Sequence, residues 1–452
     1  MNQKIKLIIL ASVIALLALA CVLLLNDRDG DNDNTDPSAT NQNYDVLRLS
    51  ADDIVRIDIE NGENFYFERN SDGLWTSEGC EADELSQNNI DTLVSDLSVI
   101  VSVIKKEDDK TNESYGLNNP RAKFAITCKN GEKYDFTVGY KSPTVGDYFI
   151  VKNGDENIYT IYNYKVETLM QPRETYNNLT PLTIDFQNIS KLNIKRNSRK
   201  ELEIISNAKK DAVDVDSFTV WRLTKPYQNV YNAVDTKIEL SLLVPLSEIK
   251  YEKYIKDTDY AKYGIDADSQ TITISYDDAP EQVMQLGKTD NGKIYVKTNT
   301  SPYIYVAPEK TFDFINANEY DLVTKMPLLV YVNNVNQVSI NTDGKNYVLD
   351  INHIDEDTIK YTFNGKEVPD EEKIYQAIIS LSSDEEYAGQ PLGEKVAAIK
   401  FRGITSDKDV NIELIDLDAR NYAISYNSHI EFIMKKTKFA SLVQSFDKFL
   451  AK

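Results

Sequence analysis

The sequence predicts an α+β protein, with an N-terminal transmembrane helix followed by tandem repeated units of antiparallel strands with one or two packed helices each. An uncharged apolar run opens the chain, and one stretch of sequence returns 148 positions later. Between these features, apolar and polar residues alternate in short segments bounded by turn residues, as in half-buried strands. The 452 residues exceed what one ordinary core holds, so the length favours about two to four domains.

Residues 1–26 are predicted to form a cytoplasmic tip and a single transmembrane helix. Leu7 to Leu25 carries no charge, and these nineteen residues make a helix of roughly 28 Å, close to the hydrocarbon thickness of a bilayer. Lysines precede the run and aspartates follow it, so the positive-inside rule places the C-terminal bulk outside the cell membrane. Two alternatives stay open: a signal peptide cleaved after "ALA" at 18–20, or a lipoprotein modified at Cys21.

Residues 27–48 are predicted to be a polar tether. The segment "NDRDGDNDNTDPSATNQN" lacks apolar side chains large enough to pack, which favours a solvated spacer. Its aspartates resemble part of a calcium loop, but Gly30 comes too early and no glutamate closes the loop. The sequence therefore predicts no metal site here.

The folded region is predicted to contain three related units. "YGLNNPRAKFAITCKNGEKYDFTVG" at 115–139 has a degraded copy, "YGIDADSQTITISYDDAPEQVMQLG", at 263–287. Further matches follow at an offset of 146, including "NISKLNI" at 188–194 with "NVNQVSI" at 334–340. A duplication of such long period indicates one supersecondary unit used repeatedly. The units are predicted as 49–186, 187–332 and a divergent third, 333–452, which lacks the Tyr-Gly turn.

Each unit is predicted to open with alternating strands, continue into an amphipathic helix and end in a second set of strands. Trp75 and Trp221 occupy corresponding strands. Helical spacing connects apolar residues in all three units, and Pro245 is expected to kink or end the second helix. These apolar residues are Ile90, Leu93, Val94, Leu97, Val101 and Ile104; Val234, Ile238, Leu242 and Leu246; and Phe439, Leu442, Val443, Phe446 and Leu450.

Four glycines punctuate the repeated stretch. Gly116 and Gly264 follow the tyrosine of each turn, where glycine supplies a backbone conformation with positive φ. Gly139 and Gly287 are predicted to end strands in tight turns. The repeated stretch is thus interpreted as structural, because the fold repeats rather than a reaction.

This organisation resembles the bacterial domain-of-unknown-function family 4340. The resemblance rests on "DGLW" at 72–75, "YGLNNP" at 115–120, "VGYKSPTVGDYFIV" at 138–151 and "NIYTI" at 157–161, and weakens through the second and third units. It implies a membrane-anchored extracytoplasmic protein that acts as an auxiliary component beside ABC-transporter components. The family supplies no agreed catalytic residues, so the resemblance implies no active site.

The sequence offers little catalytic chemistry, and no catalytic residue, cofactor or metal ligand is predicted. It contains no Walker loop, no G-x-S-x-G and no H-E-x-x-H. His353 and His429 lack a partner motif and are interpreted as turn or surface residues. Cys80 and Cys128 are a candidate disulfide in an oxidising milieu. Acidic pairs are interpreted as surface residues, with a glycosidase-like role as the alternative; they are Asp108-Asp109, Glu371-Glu372 and Glu385-Glu386.

Tyrosine is abundant, with 28 residues against two tryptophans. A group of them lies around the later strands of the first two units, and exposed tyrosine is a favoured residue in protein interfaces. The alternative is that these rings fill a β-rich core. The candidate partner-contact residues are Tyr148, Tyr159, Tyr162, Tyr164, Tyr295, Tyr303 and Tyr305.

The charge narrows the classes of partner. The formal charge is −22, and it is −24 without Lys4 and Lys6. Such a surface repels phosphates, so nucleic acid is excluded as a partner. The favoured hypothesis is a non-catalytic, membrane-tethered scaffold that binds a protein partner in the cell envelope, with a surface polymer-binding module or adhesin as one alternative and an envelope-polymer hydrolase as another. The oligomeric state is not predicted.

Overall fold

The protein is an α+β structure of repeated, mostly antiparallel sheets with a few helices, as predicted. The computed structural model describes residues 43–111, 113–207, 219–355, 358–369, 373–390, 393–403 and 409–452. The predicted transmembrane helix, Cys21 and most of the predicted tether lie outside these residues. Among the helices within them, none combines the length and the apolar character needed to cross a membrane. The chain divides into two compact units between Asn177 and Asn178.

The first compact unit contains a two-stranded sheet, β1 with β5, and an eight-stranded sheet in the order β4-β3-β2-β7-β8-β9-β10-β6. The register is antiparallel throughout. The strands are β1 (Tyr44–Arg48), β2 (Ile54–Glu60), β3 (Asn64–Arg69), β4 (Trp75–Thr76), β5 (Val99–Ser102), β6 (Lys105–Glu107), β7 (Ala122–Cys128), β8 (Lys133–Lys141), β9 (Tyr148–Lys152) and β10 (Asn157–Ile161).

The second compact unit contains two nine-stranded sheets. One has the order β14-β13-β12-β11-β16-β17-β18-β19-β15 and the other β23-β22-β21-β20-β25-β26-β27-β28-β24. The strands of the first are β11 (Ile189–Lys195), β12 (Leu202–Ser206), β13 (Trp221–Lys225), β14 (Tyr231–Asn232), β15 (Lys253–Ile255), β16 (Gln270–Tyr276), β17 (Gln282–Asp290), β18 (Lys293–Thr298) and β19 (Ile304–Pro308). Those of the second are β20 (Val335–Thr342), β21 (Lys345–His353), β22 (Ile359–Phe363), β23 (Lys366–Val368), β24 (Glu385–Glu386), β25 (Lys395–Gly403), β26 (Val410–Asp416), β27 (Asn421–Tyr426) and β28 (His429–Lys435).

The three large sheets share one topology. In each, the opening strand is central and pairs both with its own hairpin partner and with the first strand of a later four-stranded meander. A short strand that precedes this meander closes the far edge of the sheet. Each opening strand also carries a register shift near its start, between Ile54 and Arg56, Ile189 and Lys191, and Val335 and Gln337. The third sheet therefore has the same topology although its sequence lacks the Tyr-Gly turn.

The helices bury the apolar faces that the spacing predicts. In the first unit Ile90, Leu93 and Leu97 are fully buried, but the helix stops at Ser98, before Val101 and Ile104. The β-branched run that follows pairs with β1 as a strand instead, because such side chains suit a pleated surface. The α-helices within the described residues are α1 (Gln87–Ser98), α2 (Asn163–Leu169), α3 (Asp235–Ile238), α4 (Val244–Ser247), α5 (Glu319–Leu322), α6 (Ile374–Ile379) and α7 (Lys436–Ala451).

Pro245 lies in α4, directly after a π-helical segment, Glu239–Leu243, that joins α3 to α4. Proline cannot donate a helical hydrogen bond and its ring clashes with the preceding turn, so a widened turn before it is a physical accommodation. Ile238, Leu242 and Leu246 nevertheless stay buried on one side. The predicted interruption of this helix is thus a π segment, and the helical path ends at Ser247.

The two sheets of the second compact unit share a hydrophobic core. Aromatic rings connect them, with Tyr231 5.0 Å from Phe432 and 5.4 Å from Tyr426 between ring centroids. The Asn229 side-chain amide also donates to the Tyr426 carbonyl at 2.7 Å. The first compact unit has its own core around Trp75, Phe67 and the buried face of α1.

A buried ion pair fixes the end of β11 in the second compact unit. The Arg196 side chain is fully buried, and its guanidinium lies 3.4 Å from the Glu319 carboxylate and donates to the Ala317 carbonyl at 2.9 Å. Arg199 reaches the same carboxylate at 3.2 Å. Burial lowers the pKa of Arg196, with the Glu319 charge acting in the opposite direction. The arginine thereby connects the opening strand to the segment that leads into the third sheet.

Candidate functional site

In each of the first two large sheets, the repeated Tyr-Gly turn packs a tyrosine onto the four-stranded meander, on the face away from the main core. Tyr115 contacts Phe149 edge-to-face at 4.9 Å between ring centroids, and Tyr263 contacts Tyr295 at the same distance. Gly116 and Gly264 have φ of +68° and +71°, which confirms the predicted left-handed conformation. Each turn thus closes a small apolar cluster that is separate from the main core.

Gly139 and Gly287 serve a different purpose from the predicted one. Both lie inside strands, β8 and β17, so the prediction that they end strands is wrong. A Cβ atom at Gly139 would lie 2.0 Å from the Tyr115 carbonyl oxygen, and one at Gly287 would lie 2.3 Å from the Tyr263 carbonyl oxygen. Glycine is required because the backbone of the turn approaches the strand too closely for any side chain.

An aspartate anchors each of these tyrosines. The Tyr115 hydroxyl donates to Asp108 at 2.6 Å and the Tyr263 hydroxyl donates to Asp257 at 2.9 Å. A lysine accompanies each pair: Lys106 lies 2.8 Å from Asp108, and Lys262 lies 3.0 Å from Asp257. Hydrogen bonds from Lys106 and Tyr115 hold the pKa of Asp108 well below its usual range. In each copy the tyrosine hydroxyl and the lysine ammonium both bind the aspartate carboxylate, an arrangement typical of a structural role. We call each such group of tyrosine, aspartate and lysine a clasp.

The pKa of Asp257 depends on the hydrogen bonds of its clasp. The Asp259 backbone amide, then Lys262 and Tyr263, lower it from 3.8 to about 2. Because this pKa is depressed, the ionised carboxylate stabilises the fold above pH 3.8, and that contribution is lost as the pH falls through about 2. We expect Tyr263→Phe to raise the Asp257 pKa, measured by carboxyl ¹³C NMR titration. Tyr260→Phe is the matched control, and an unchanged midpoint in Tyr263→Phe would contradict the assignment.

The seven tyrosines predicted as partner contacts have different environments. Tyr159 and Tyr305 are buried, with 6% and 2% of their surface exposed, and belong to the core. Burial and the Asp155 carboxylate raise the pKa of Tyr159 to about 12. Tyr148, Tyr162, Tyr295 and Tyr303 are half-buried, and Tyr303 stacks on Tyr254 at 5.0 Å. Tyr164 is exposed, with 53% of its surface accessible.

Tyr162 and Tyr164 form a stacked pair at the start of α2. Their ring centroids lie 6.1 Å apart with an interplanar angle of 15°. The next residue, Lys165, is buried and donates through Nζ to the Asp96 and Val99 carbonyls at the end of α1. Burial lowers the pKa of this lysine. The pair therefore lies on a helix whose position is fixed by the hydrogen bonds of Lys165 to the end of α1.

The candidate disulfide is not formed, because Cys80 and Cys128 are both free. Cys80 follows β4 and Cys128 ends β7, and these strands are separated in the sheet by β3 and β2. Three inter-strand spacings amount to about 14 Å, whereas a disulfide requires Cα atoms within about 7 Å. The sheet order keeps the two thiols apart.

The other chemical candidates stay dispersed. His353 contacts the Val335 carbonyl at 2.9 Å, and His429 lies exposed at the start of β28. Asp109 accepts from Thr111, and Glu386 accepts from the Tyr227 hydroxyl. Glu371-Glu372 lies outside the described residues. Within the described ranges, no group of three or more histidine, cysteine, aspartate or glutamate side chains is arranged to hold a metal ion.

A trough of about 480 Å³ lies on the outer face of the first large sheet. Charged side chains of both signs line it, including Asp58, Lys123 and Asp135. Its exposed-face aromatic, Tyr66, is covered by the Arg56 guanidinium at 3.8 Å, and Arg56 is paired in turn with Asp58 and Glu68. The face of the Tyr66 ring that the guanidinium covers is thus occupied by a contact within the sheet.

Sequence reasoning missed the two aspartates of the clasps. Their signal is present, because Asp108 precedes Tyr115 by seven residues and Asp257 precedes Tyr263 by six. Aligning the two copies at the Tyr-Gly turn pairs Asp257 with Asp109, the residue after Asp108, so the alignment leads to within one residue of the first clasp aspartate. The burial of Lys165 beneath the tyrosine pair could not be predicted from the sequence, because a lysine on a short helix is ordinarily exposed.

Comparison with known proteins identifies related sequences at the family level. A family model described as a domain of unknown function (DUF4340) matches residues 84–259 and, overlapping with them, residues 221–385. The two matches together span more than half of the chain. No curated protein matches the sequence.

Proposed function

Because the chain belongs to the DUF4340 family, a family of unknown function, we propose a role from its own geometry: a non-catalytic scaffold that binds a protein partner through the Tyr162–Tyr164 pair. The exposed, supported stack of these two rings is the observation that carries the proposal. Tyrosine contributes large contact area at low entropic cost, and residues that carry binding energy are enriched in it. Lys165 fixes the helix beneath the pair, so little ordering remains to be done on binding.

The proposed setting is the outer side of the cell membrane, with the N-terminal helix as anchor and the polar segment as tether. The uncharged run from Leu7 to Leu25 and the lysines before it support this topology. The proposed partner is a component of an ABC-type transport system, on the strength of the family resemblance. The polymer-binding and hydrolase hypotheses stay predictions.

The proposal is tested by photo-crosslinking in native membranes. A benzoylphenylalanine at position 164 of the full chain is expected to yield a crosslinked membrane protein that mass spectrometry identifies. Tyr331, with 45% of its surface exposed, is the matched control position and is expected to give no such product. Tyr164→Ala is expected to weaken binding of that partner by about 30-fold, as for a central interface tyrosine.

Several outcomes would contradict parts of the proposal. Equal crosslinking at positions 164 and 331 would mean that the tyrosine pair has no special role. A specific product other than a transporter subunit would retain the scaffold and overturn the ABC-type assignment. Unchanged affinity in Tyr164→Ala would overturn the assignment of the binding surface.

A further inference from the structure

The second compact unit contains a small apolar cavity beneath a strap of irregular chain, residues 179–186. The cavity has a volume of about 130 Å³. The strap forms its roof, while Leu246, Tyr251 and Met284 contribute to its floor. The strap begins directly after the boundary between the two compact units. All the residues that line the cavity belong to the second compact unit.

The strap is held by its backbone rather than by filling the cavity. The Gln282 side chain donates to the Thr183 carbonyl at 2.8 Å, and Thr300 donates to the Pro181 carbonyl at 2.5 Å. Leu182, Ile184 and Phe186 point toward the core but each remains only half-buried. Polar bonds at the strap therefore hold the roof above an incompletely filled apolar space.

The chemistry of the walls selects an uncharged occupant. No charged side chain lines the cavity, and the lining is dominated by leucine, isoleucine, phenylalanine and methionine. The polar side chains of the lining are Thr180, Ser247 and Tyr251. Apolar cavities of similar size stay dry and accept apolar molecules of about six carbon atoms.

Of the polar side chains that line the cavity, Thr180 and Ser247 are exposed and Tyr251 is buried, so the Tyr251 hydroxyl is the group placed to orient a ligand. The Tyr251 side chain is buried, and its hydroxyl contacts the Met284 sulfur at 3.7 Å. A thioether is a weak acceptor, so a ligand oxygen would make a stronger hydrogen bond with this hydroxyl. Burial raises the pKa of Tyr251, which keeps the hydroxyl protonated and able to donate.

We propose that this cavity binds one compact hydrocarbon group of about six to eight carbon atoms, with a hydrogen-bond acceptor placed at the Tyr251 hydroxyl. The group is either a free small molecule or the chain end of a lipid, and both sources present the same apolar chemistry. The inference is independent of the tyrosine-pair proposal, because it concerns a different compact unit and a different ligand class.

The test is methyl NMR of the full chain with two six-membered-ring probes. Cyclohexanone supplies an acceptor, and methylcyclohexane is its hydrocarbon counterpart. Both are expected to cause saturable shifts at the Leu182, Ile184 and Met284 methyls. Tyr251→Phe is expected to weaken cyclohexanone binding by about 2- to 10-fold and leave methylcyclohexane unchanged. Absence of saturable shifts at these methyls would overturn the proposal, and an equal effect of Tyr251→Phe on both probes would overturn the role of the hydroxyl.

A second test of the proposed site fills the cavity with a larger side chain. Ile184→Trp is expected to abolish the saturable shifts of the remaining lining methyls, whereas Ile354→Trp, at an isoleucine with 60% exposure, leaves them unchanged. Leu182→Phe replaces Ile184→Trp if the latter does not fold. Binding that survives filling would overturn the site. Monomeric dihexanoylphosphatidylcholine distinguishes the sources: shifts with this lipid support a lipid chain end, and shifts with cyclohexanone alone support a free small molecule.

Discussion

Glu319→Ala is expected to destabilise the second compact unit by about 3 kcal/mol, because it leaves the buried Arg196 guanidinium without its counter-charge. The arginine keeps the Lys200 carbonyl at 2.6 Å and the Ala317 carbonyl at 2.9 Å as acceptors. This places the loss at the low end of the range for broken buried pairs. Arg199 loses the same partner but is more exposed, so its share is smaller.

Urea unfolding, followed by hydrogen exchange of amides in the second compact unit, measures this loss. The matched control is Glu413→Ala, which breaks an exposed pair with Lys395 at 3.1 Å and is expected to cost less than about 1 kcal/mol. Arg196→Met removes the charge together with its desolvation cost, so it is expected to be milder than Glu319→Ala. An equal loss of unfolding free energy in Glu319→Ala and Glu413→Ala would show that burial does not increase the cost of breaking the Arg196–Glu319 pair.

Periodicity predicts most of the secondary structure, and the repeat predicts the architecture. The buried faces of α1 and α7 follow the helical spacing, although the first helix ends six residues earlier than Ile104. The error has a physical cause. Val101 and Ile104 continue the helical spacing, but Val99, Ile100 and Val101 are also a β-branched run with strand propensity, and pairing with β1 decides between the two. The topology of the third sheet follows from its hydrophobic alternation even without its punctuating turn.

Long-range packing is what the sequence cannot predict. The shared core of the second and third sheets depends on aromatic contacts between residues nearly 200 positions apart, such as Tyr231 and Tyr426. Tyr159 and Tyr305 are buried because they face the main cores, whereas Tyr164 lies exposed on a short helix. The strap cavity likewise cannot be predicted from the sequence, because its lining residues come from separate segments of the chain and none of these segments has an unusual pattern.

Gly139→Ala and Gly287→Ala are expected to destabilise their respective compact units by about 2–4 kcal/mol each. In both, the new Cβ atom meets a backbone carbonyl oxygen, which cannot rotate away as a side chain can. Relief requires the whole Tyr-Gly turn to lift from the strand. That movement separates Tyr115 from Phe149 in one copy and Tyr263 from Tyr295 in the other.

The two substitutions test the repeat as a physical unit, since the same contact in two separate compact units is expected to cost the same within about 1 kcal/mol. Hydrogen exchange of each unit against urea supplies the two values. Gly389→Ala is the matched control, because its Cβ atom would meet the Tyr387 ring, a side chain able to rotate, so a cost below about 1 kcal/mol is expected. A neutral result at either glycine would mean that the turn can shift freely. In that event the two copies would share a sequence pattern without sharing the close backbone packing that explains it.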